Sequence, residues 1–148
     1  MKKVLRSQIE VQLCSKRKAI PKEKLLKKWV KTVLTHEKKA GSVCVRVINE
    51  KESQVLNTKY RNQAKPTNVL SFSATGDLAV CAPVVGKEAN LYQLPLLDHW
   101  AHVIVHGTLH LIGYDHQTKR DTILMEEKEA AILKHLGFSD PHTHPHAF

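Results

Sequence analysis

His106-Gly107-Thr108-Leu109-His110-Leu111-Ile112-Gly113-Tyr114-Asp115-His116 sets three histidines at spacings of four and six within eleven residues. On a helix, residues four apart lie on one face, a turn above one another. Gly113 can stop such a helix, and the chain then turns back to bring His116 towards His106 and His110. Three neutral imidazoles converging on one point make a zinc site with a position left open, the catalytic arrangement and not the closed structural one.

His99 and His102 fall on the same helical face as His106 and His110. One ion cannot bridge His102 and His110, because eight residues of helix separate them by ~12 Å while Zn–N bonds are ~2.0–2.1 Å. The pair His106 and His110 has a third ligand close behind it; the pair His102 and His106 has none so near. His102 is therefore expected to support the ligands from behind or to lie at the surface. Asp115 either braces the turn through its side chain or orients a ligand imidazole.

Working outward, the pattern predicts strands gathered early and helices gathered late. Arg6 to Leu13 alternates through Ile9, Val11 and Leu13, and Ser42 to Ile48 through Val43, Val45 and Val47. Between them Pro21 is expected at the first helical position, followed by Leu25, Leu26, Trp29, Val30, Val33 and Leu34 at helical spacing and a stop at Gly41. Glu50 to Tyr60 reads as a short helix. Asn68 to Ser73 and Asp77 to Cys81 read as strands joined through Thr75-Gly76. Helices then follow from Pro83 to Tyr92, from Pro95 to Ile112, and from Thr118 to Leu136. Thr118 with Asp121 three residues on resembles a capping box. The fold class expected is α+β, with the histidine helix packed on a small sheet of about four strands. A single domain over residues 1–140 is expected, followed by a disordered His- and Pro-rich tail over 141–148. Its histidines could bind metal adventitiously.

The formal charge of +9 is unevenly placed. Residues 1–40 hold 13 Lys and Arg against 3 acids, and the rest of the chain is close to neutral. A one-sided basic surface suits a polyanion partner such as RNA. No apolar run is long enough to span a bilayer, and the N-terminus carries no signal-peptide core, so a cytoplasmic protein without membrane association is expected. Cys14, Cys44 and Cys81 form no C-x-x-C pair and are expected to be buried free thiols.

The His106–His110 spacing matches the H-E-x-x-H helix of zinc hydrolases, in which the glutamate deprotonates the attacking water. Gly107 stands in that place and cannot accept a proton, which argues against a metallopeptidase. Phosphodiester cleavage needs other parts: a metal to polarise the phosphoryl oxygen, a nucleophile, and a cation to balance the extra charge.

The histidine stretch resembles the signature of the bacterial YbeY endoribonucleases, also called rRNA maturation factors. So do Leu56-Asn57, Tyr60-Arg61, Pro66-Thr67-Asn68-Val69-Leu70-Ser71-Phe72, Gly76-Asp77-Leu78-Ala79-Val80, Met125-Glu126-Glu127 and the Leu-Gly-Phe at 136–138, in the family order. The resemblance runs from about residue 43 to 140 and implies a mixed sheet against helices. It implies a single-strand-directed, zinc-dependent endoribonuclease acting in small-subunit (16S) rRNA 3′-end maturation and ribosome quality control, with the small ribosomal subunit as a partner. His106, His110 and His116 would hold one zinc ion, and His110 and Arg61 would carry catalysis. Arg61 would contact the scissile phosphate, its bidentate guanidinium suiting two phosphate oxygens. The Ser71 hydroxyl would line the substrate groove. Many members have Asp at the place of Asn68, so this chain has no carboxylate there to act as a general base. The alternatives are an RNA-binding assembly module with a mainly structural zinc, or a peptidase-like zinc hydrolase.

Overall fold

A computed structural model describes residues 7–15 and 19–143 of the 148. The elements run β1 (Gln8–Leu13), α1 (Glu23–His36), β2 (Ser42–Ile48), α2 (Glu50–Arg61), β3 (Val69–Phe72), β4 (Asp77–Cys81), α3 (Ala82–Leu91), α4 (Leu96–Leu111), α5 (Lys119–His135) and a short 3-10 turn (Pro141–Thr143). The four strands form one mixed sheet in the order β1-β2-β4-β3. β1 and β4 run parallel to β2, with Val11 opposite Val45 and Val45 opposite Leu78. β3 pairs antiparallel with β4, Val69 opposite Val80, and forms one edge of the sheet.

Alternation sorts the sheet's two faces. Val43, Val45, Val47, Leu78 and Val80 join the main core with Leu26, Trp29, Val30 and Val33 of α1 and Trp100, Ile104 and Leu109 of α4. Ile48, Leu70, Ala79 and Cys81 turn to the other side, where Leu56 of α2 and Val84 of α3 cover them. The α+β class and the four-stranded mixed sheet agree with the sequence reading.

Gly76 makes the β3–β4 turn possible. Its φ is +76°, and a Cβ there would lie 2.3 Å from the Ser42 carbonyl oxygen. That close approach lets the Gly76 carbonyl accept from the Cys44 N–H at 2.9 Å, locking the turn to β2. At the other end of the chain, the Thr118 side chain accepts from the Asp121 N–H at 3.0 Å, as the capping pattern predicts.

α4 is buried on nearly every side, from His99 to Leu109. It meets the sheet most tightly at Gly107, where a Cβ would lie 2.9 Å from Val69 Cγ2 and 3.0 Å from Leu78 Cδ2. The Ser71 hydroxyl donates to the Gly107 carbonyl at 2.9 Å and ties β3 to the helix. Glycine at this position therefore serves contact between helix and strand; it faces the sheet.

Three expectations need correction. Pro21 precedes the α1 N-cap, Lys22, so it fixes the approach to the helix and does not open its first turn. The thiols are free, but only Cys81 is buried; Cys14 lies exposed just past the end of edge strand β1, and Cys44 is half-buried. The tail begins in order: the Asp140 carboxylate accepts from the His142 N–H at 2.8 Å and the chain coils through Pro141–Thr143. The remaining residues, 144–148, like 1–6 and 16–18, lie outside the described residues. Among the described residues no helix is long and apolar enough to cross a membrane.

Gly107→Ala should destabilise the fold. Overpacking a tight core costs about 1–3 kcal/mol, more than the ~1 kcal/mol that alanine gains in helix propensity. A lowered urea midpoint checks this, and an unchanged one would mean that the helix can retreat from β3 freely.

Candidate metal centre

His106 and His110 stand one turn apart near the C-terminal end of α4, and the helix stops at Ile112. Gly113, with φ +112°, reverses the chain. The Asp115 carboxylate accepts from the His116 N–H at 2.8 Å and tightens the turn. Tyr114, between them, donates a short hydrogen bond to Glu37 just past the end of α1. That bond raises the Tyr114 phenol to about 12, with burial adding to it.

The result is a convergence of three rings. His110 Nε2 lies 3.1 Å from His106 Nε2. The His116 ring is 5.0 Å, centre to centre, from each of the other two. One donor atom from each residue lies within 4.8 Å of the others. A tetrahedral zinc with Zn–N bonds of ~2.0–2.1 Å needs donors roughly 3.3 Å apart, so the His106–His110 pair is already spaced for an ion. Burial, then repulsion from His106 and His116, pushes the His110 imidazole down to about 4. Burial, then His106, also lowers His116. Both are thereby kept in the neutral form that a metal requires. Beneath His116, its Nε2 lies 2.8 Å from the sulfur of the buried Met125.

These rings form one wall of a cleft of about 660 Å³. The cleft is also lined by β3 and the residue before it, from Asn68 to Phe72, together with Tyr60 and Arg61 at the end of α2. Arg61 is exposed, and it opens onto the same cleft as the three histidines although 45 residues or more separate them in sequence. Beside it the Tyr60 and Phe72 rings pack edge to face, centres 5.0 Å apart, with Tyr60 55 % exposed. Ser71 also lines the cleft, but its hydroxyl proton is committed to Gly107, so the side chain serves the helix contact and offers a ligand only lone pairs. The Asn68 amide is likewise engaged, donating to Glu88 at 3.1 Å and accepting from the Val69 N–H at 2.6 Å.

His102 is buried behind the three imidazoles, its Nε2 2.7 Å from Glu129. The same Glu129 oxygen lies 3.0 Å from His106 Nδ1. His142, from the 3-10 turn, brings its Nε2 to 3.2 Å from the other oxygen. Burial alone would raise the Glu129 carboxyl, but its hydrogen bonds with His102 and His106 and the nearby His142 imidazole outweigh that and hold it well below the ordinary carboxylate range. Sequence reasoning missed Glu129. The signal was there: it is the one carboxylate in the buried stripe of α5, with Met125, Ile132 and Leu133 at spacings of four, three and four. A charge on an apolar face needs a partner.

Sequence comparison agrees with this architecture. The profile of the family described as "Endoribonuclease YbeY" matches residues 10–137. "Endoribonuclease YbeY" of Buchnera aphidicola subsp. Acyrthosiphon pisum (strain APS) is 39% identical over 145 residues, covering 90% of this chain and 94% of its own. Its counterpart in Buchnera aphidicola subsp. Schizaphis graminum (strain Sg) is 39% identical over 139 residues, with 87% and 88% covered. The solution structure of TM1509 from Thermotoga maritima superposes with a TM-score of 0.59 at 25% identity, over 88% of this chain and 97% of that one. An α+β fold holding a histidine-lined cleft thus acquires a family: the chain belongs to the YbeY endoribonucleases.

The depressed histidines predict how the metal-free protein responds to acid. Below pH 6.5 the unfolded chain takes up protons that folded His110 refuses until about 4. The unfolded state is therefore favoured progressively as pH falls across that window, and stability rises again with pH. Urea denaturation of chelated protein between neutral pH and about pH 4 should follow this slope, and His110→Ala should flatten it. A level profile in the parent protein would contradict it.

Proposed function

We propose that the protein is a zinc-dependent endoribonuclease directed at single strands, acting in 16S rRNA 3′-end maturation and ribosome quality control. The observation carrying the reading is one cleft lined by three converging imidazoles and an exposed arginine. The relatives named as endoribonucleases support the reaction class, and the family resemblance supports the ribosomal substrate.

His106, His110 and His116 would hold the zinc, whose Lewis acidity polarises a phosphoryl oxygen. Arg61, which lines the same cleft, would bind the same phosphate and balance the charge that builds as the fifth oxygen joins phosphorus. His110 is essential through its hold on the metal. Tyr60, half exposed beside Phe72, offers a face on which an unpaired base can stack, which a duplex would not present. Tyr114, its proton held by Glu37 and its phenol raised to about 12, takes no part in proton transfer near neutrality. Asp115 is the one carboxylate among the described residues lining the cleft, with one oxygen already on the His116 N–H.

The lysines extend the site. Lys24, Lys28 and Lys31 line α1, and the Glu37–Tyr114 bond joins the end of that helix to the turn carrying His116. RNA backbone lying on α1 can therefore run on to the cleft.

His110→Ala should lose bound zinc and cleavage together. Arg61→Ala should keep its zinc and lose rate by roughly 10²- to 10³-fold. Incubating each with precursor small-subunit rRNA, mapping the ends and assaying metal on the same samples tests both; undiminished cleavage by metal-free His110→Ala would sink the proposal. Replacing Lys24, Lys28 and Lys31 together by alanine should reduce the salt dependence of RNA affinity, by about 0.7 in the log–log slope for each phosphate no longer neutralised. An unaltered slope would remove α1 from the RNA path.

A further inference from the structure

We propose that Glu129 is a positioning residue for the metal centre: it fixes the tautomer and the ring plane of His106. The inference rests on the zinc-site reading above. An ionised carboxylate can only accept hydrogen bonds, so the 3.0 Å contact between Glu129 Oε2 and His106 Nδ1 requires the proton on Nδ1. Nε2 is then unprotonated, and it is Nε2 that faces His110 Nε2 at 3.1 Å. The ring is thus set with its basic nitrogen towards the point where the three imidazoles meet.

Glu129 is itself held. It is 1 % exposed, and its oxygens are occupied from three directions: by His102 Nε2 at 2.7 Å, by His106, and by His142 Nε2 at 3.2 Å. His102 and His106 come from α4, Glu129 from α5 and His142 from the 3-10 turn beyond it. His102 therefore acts at one remove, anchoring the carboxylate that anchors the ligand. Removing partners of this kind commonly weakens metal affinity by about 10- to 100-fold.

An alternative use of the same atoms is a second, buried metal site, since His102, His106 and Glu129 also bring donors within 4.8 Å of one another. The short approaches to one carboxylate oxygen favour hydrogen bonds, and stoichiometry separates the two.

Glu129→Gln keeps the volume and removes the charge. Titrating Zn²⁺ against a competing chelator should show its affinity for the full chain falling by about 10- to 100-fold, with one ion per chain in the parent and circular dichroism unchanged in the variant. Unaltered affinity would overturn the proposal, as would a second ion in the parent that Glu129→Gln loses. Should the variant fail to fold, long-range ¹H–¹⁵N NMR of the metal-free parent decides: the expected His106 pattern has Nδ1 protonated and Nε2 bare, and the reverse overturns the role of Glu129. If the parent binds no zinc, the metal-centre reading fails by itself, and the tautomer still tests the Glu129–His106 bond.

Discussion

A helix buried on nearly every side has little solvent-facing surface on which to keep its polar residues. α4 is such a helix, and three of its histidines, His99, His102 and His106, lie inside the protein. Unpaired imidazoles there would each forfeit hydrogen bonds to water. The chain meets the demand with carboxylates brought from its neighbours: Glu88 of α3 lies 3.0 Å from His99, and Glu129 of α5 serves His102 and His106. Much of the remaining architecture follows from placing those two acids. α3 and α5 must flank α4, which leaves the sheet and α1 to cover its other sides.

The tight approach at Gly107 completes the arrangement. Because no side chain separates α4 from β3, the edge strand comes close enough for its residues and those at the end of α4 to share a cleft. The glycine that removes a peptidase-type base from the sequence motif thus has a positive structural role: it sets the distance between α4 and β3. Arg61, the last residue of α2, borders the cleft beside the α2–β3 connection, whose Ser53–Thr67 and Asn57–Lys65 bonds fold the segment back on α2.

The sequence reading and the structure agree where local chemistry dominates. Strand alternation, the proline and glycine punctuation and the Thr118–Asp121 cap set most element boundaries to within a few residues, because each depends on atoms close in sequence. Parallel pairing of β1 with β2 and of β2 with β4 is not written in any short window; it is a consequence of the crossovers. Cys14 misled for a related reason. A thiol's burial depends on which strand is an edge, and β1 becomes an edge only once the order is known. Within the site, the three-histidine motif was legible because its members are near one another. Glu129, His142 and Glu37 were not, since each takes its meaning only from a tertiary neighbour.

That locality bears on when the chain can first hold an ion. All three candidate ligands sit within one eleven-residue segment, so an unfolded chain already carries the complete donor set. A ligand that also binds the unfolded state stabilises the native one less than its affinity suggests. The preference of a metal for the finished protein must then come from residues outside the segment, Glu129 at the back and Glu37 under the turn. The motif would supply capture; the tertiary structure would supply discrimination between a folded site and a loose peptide.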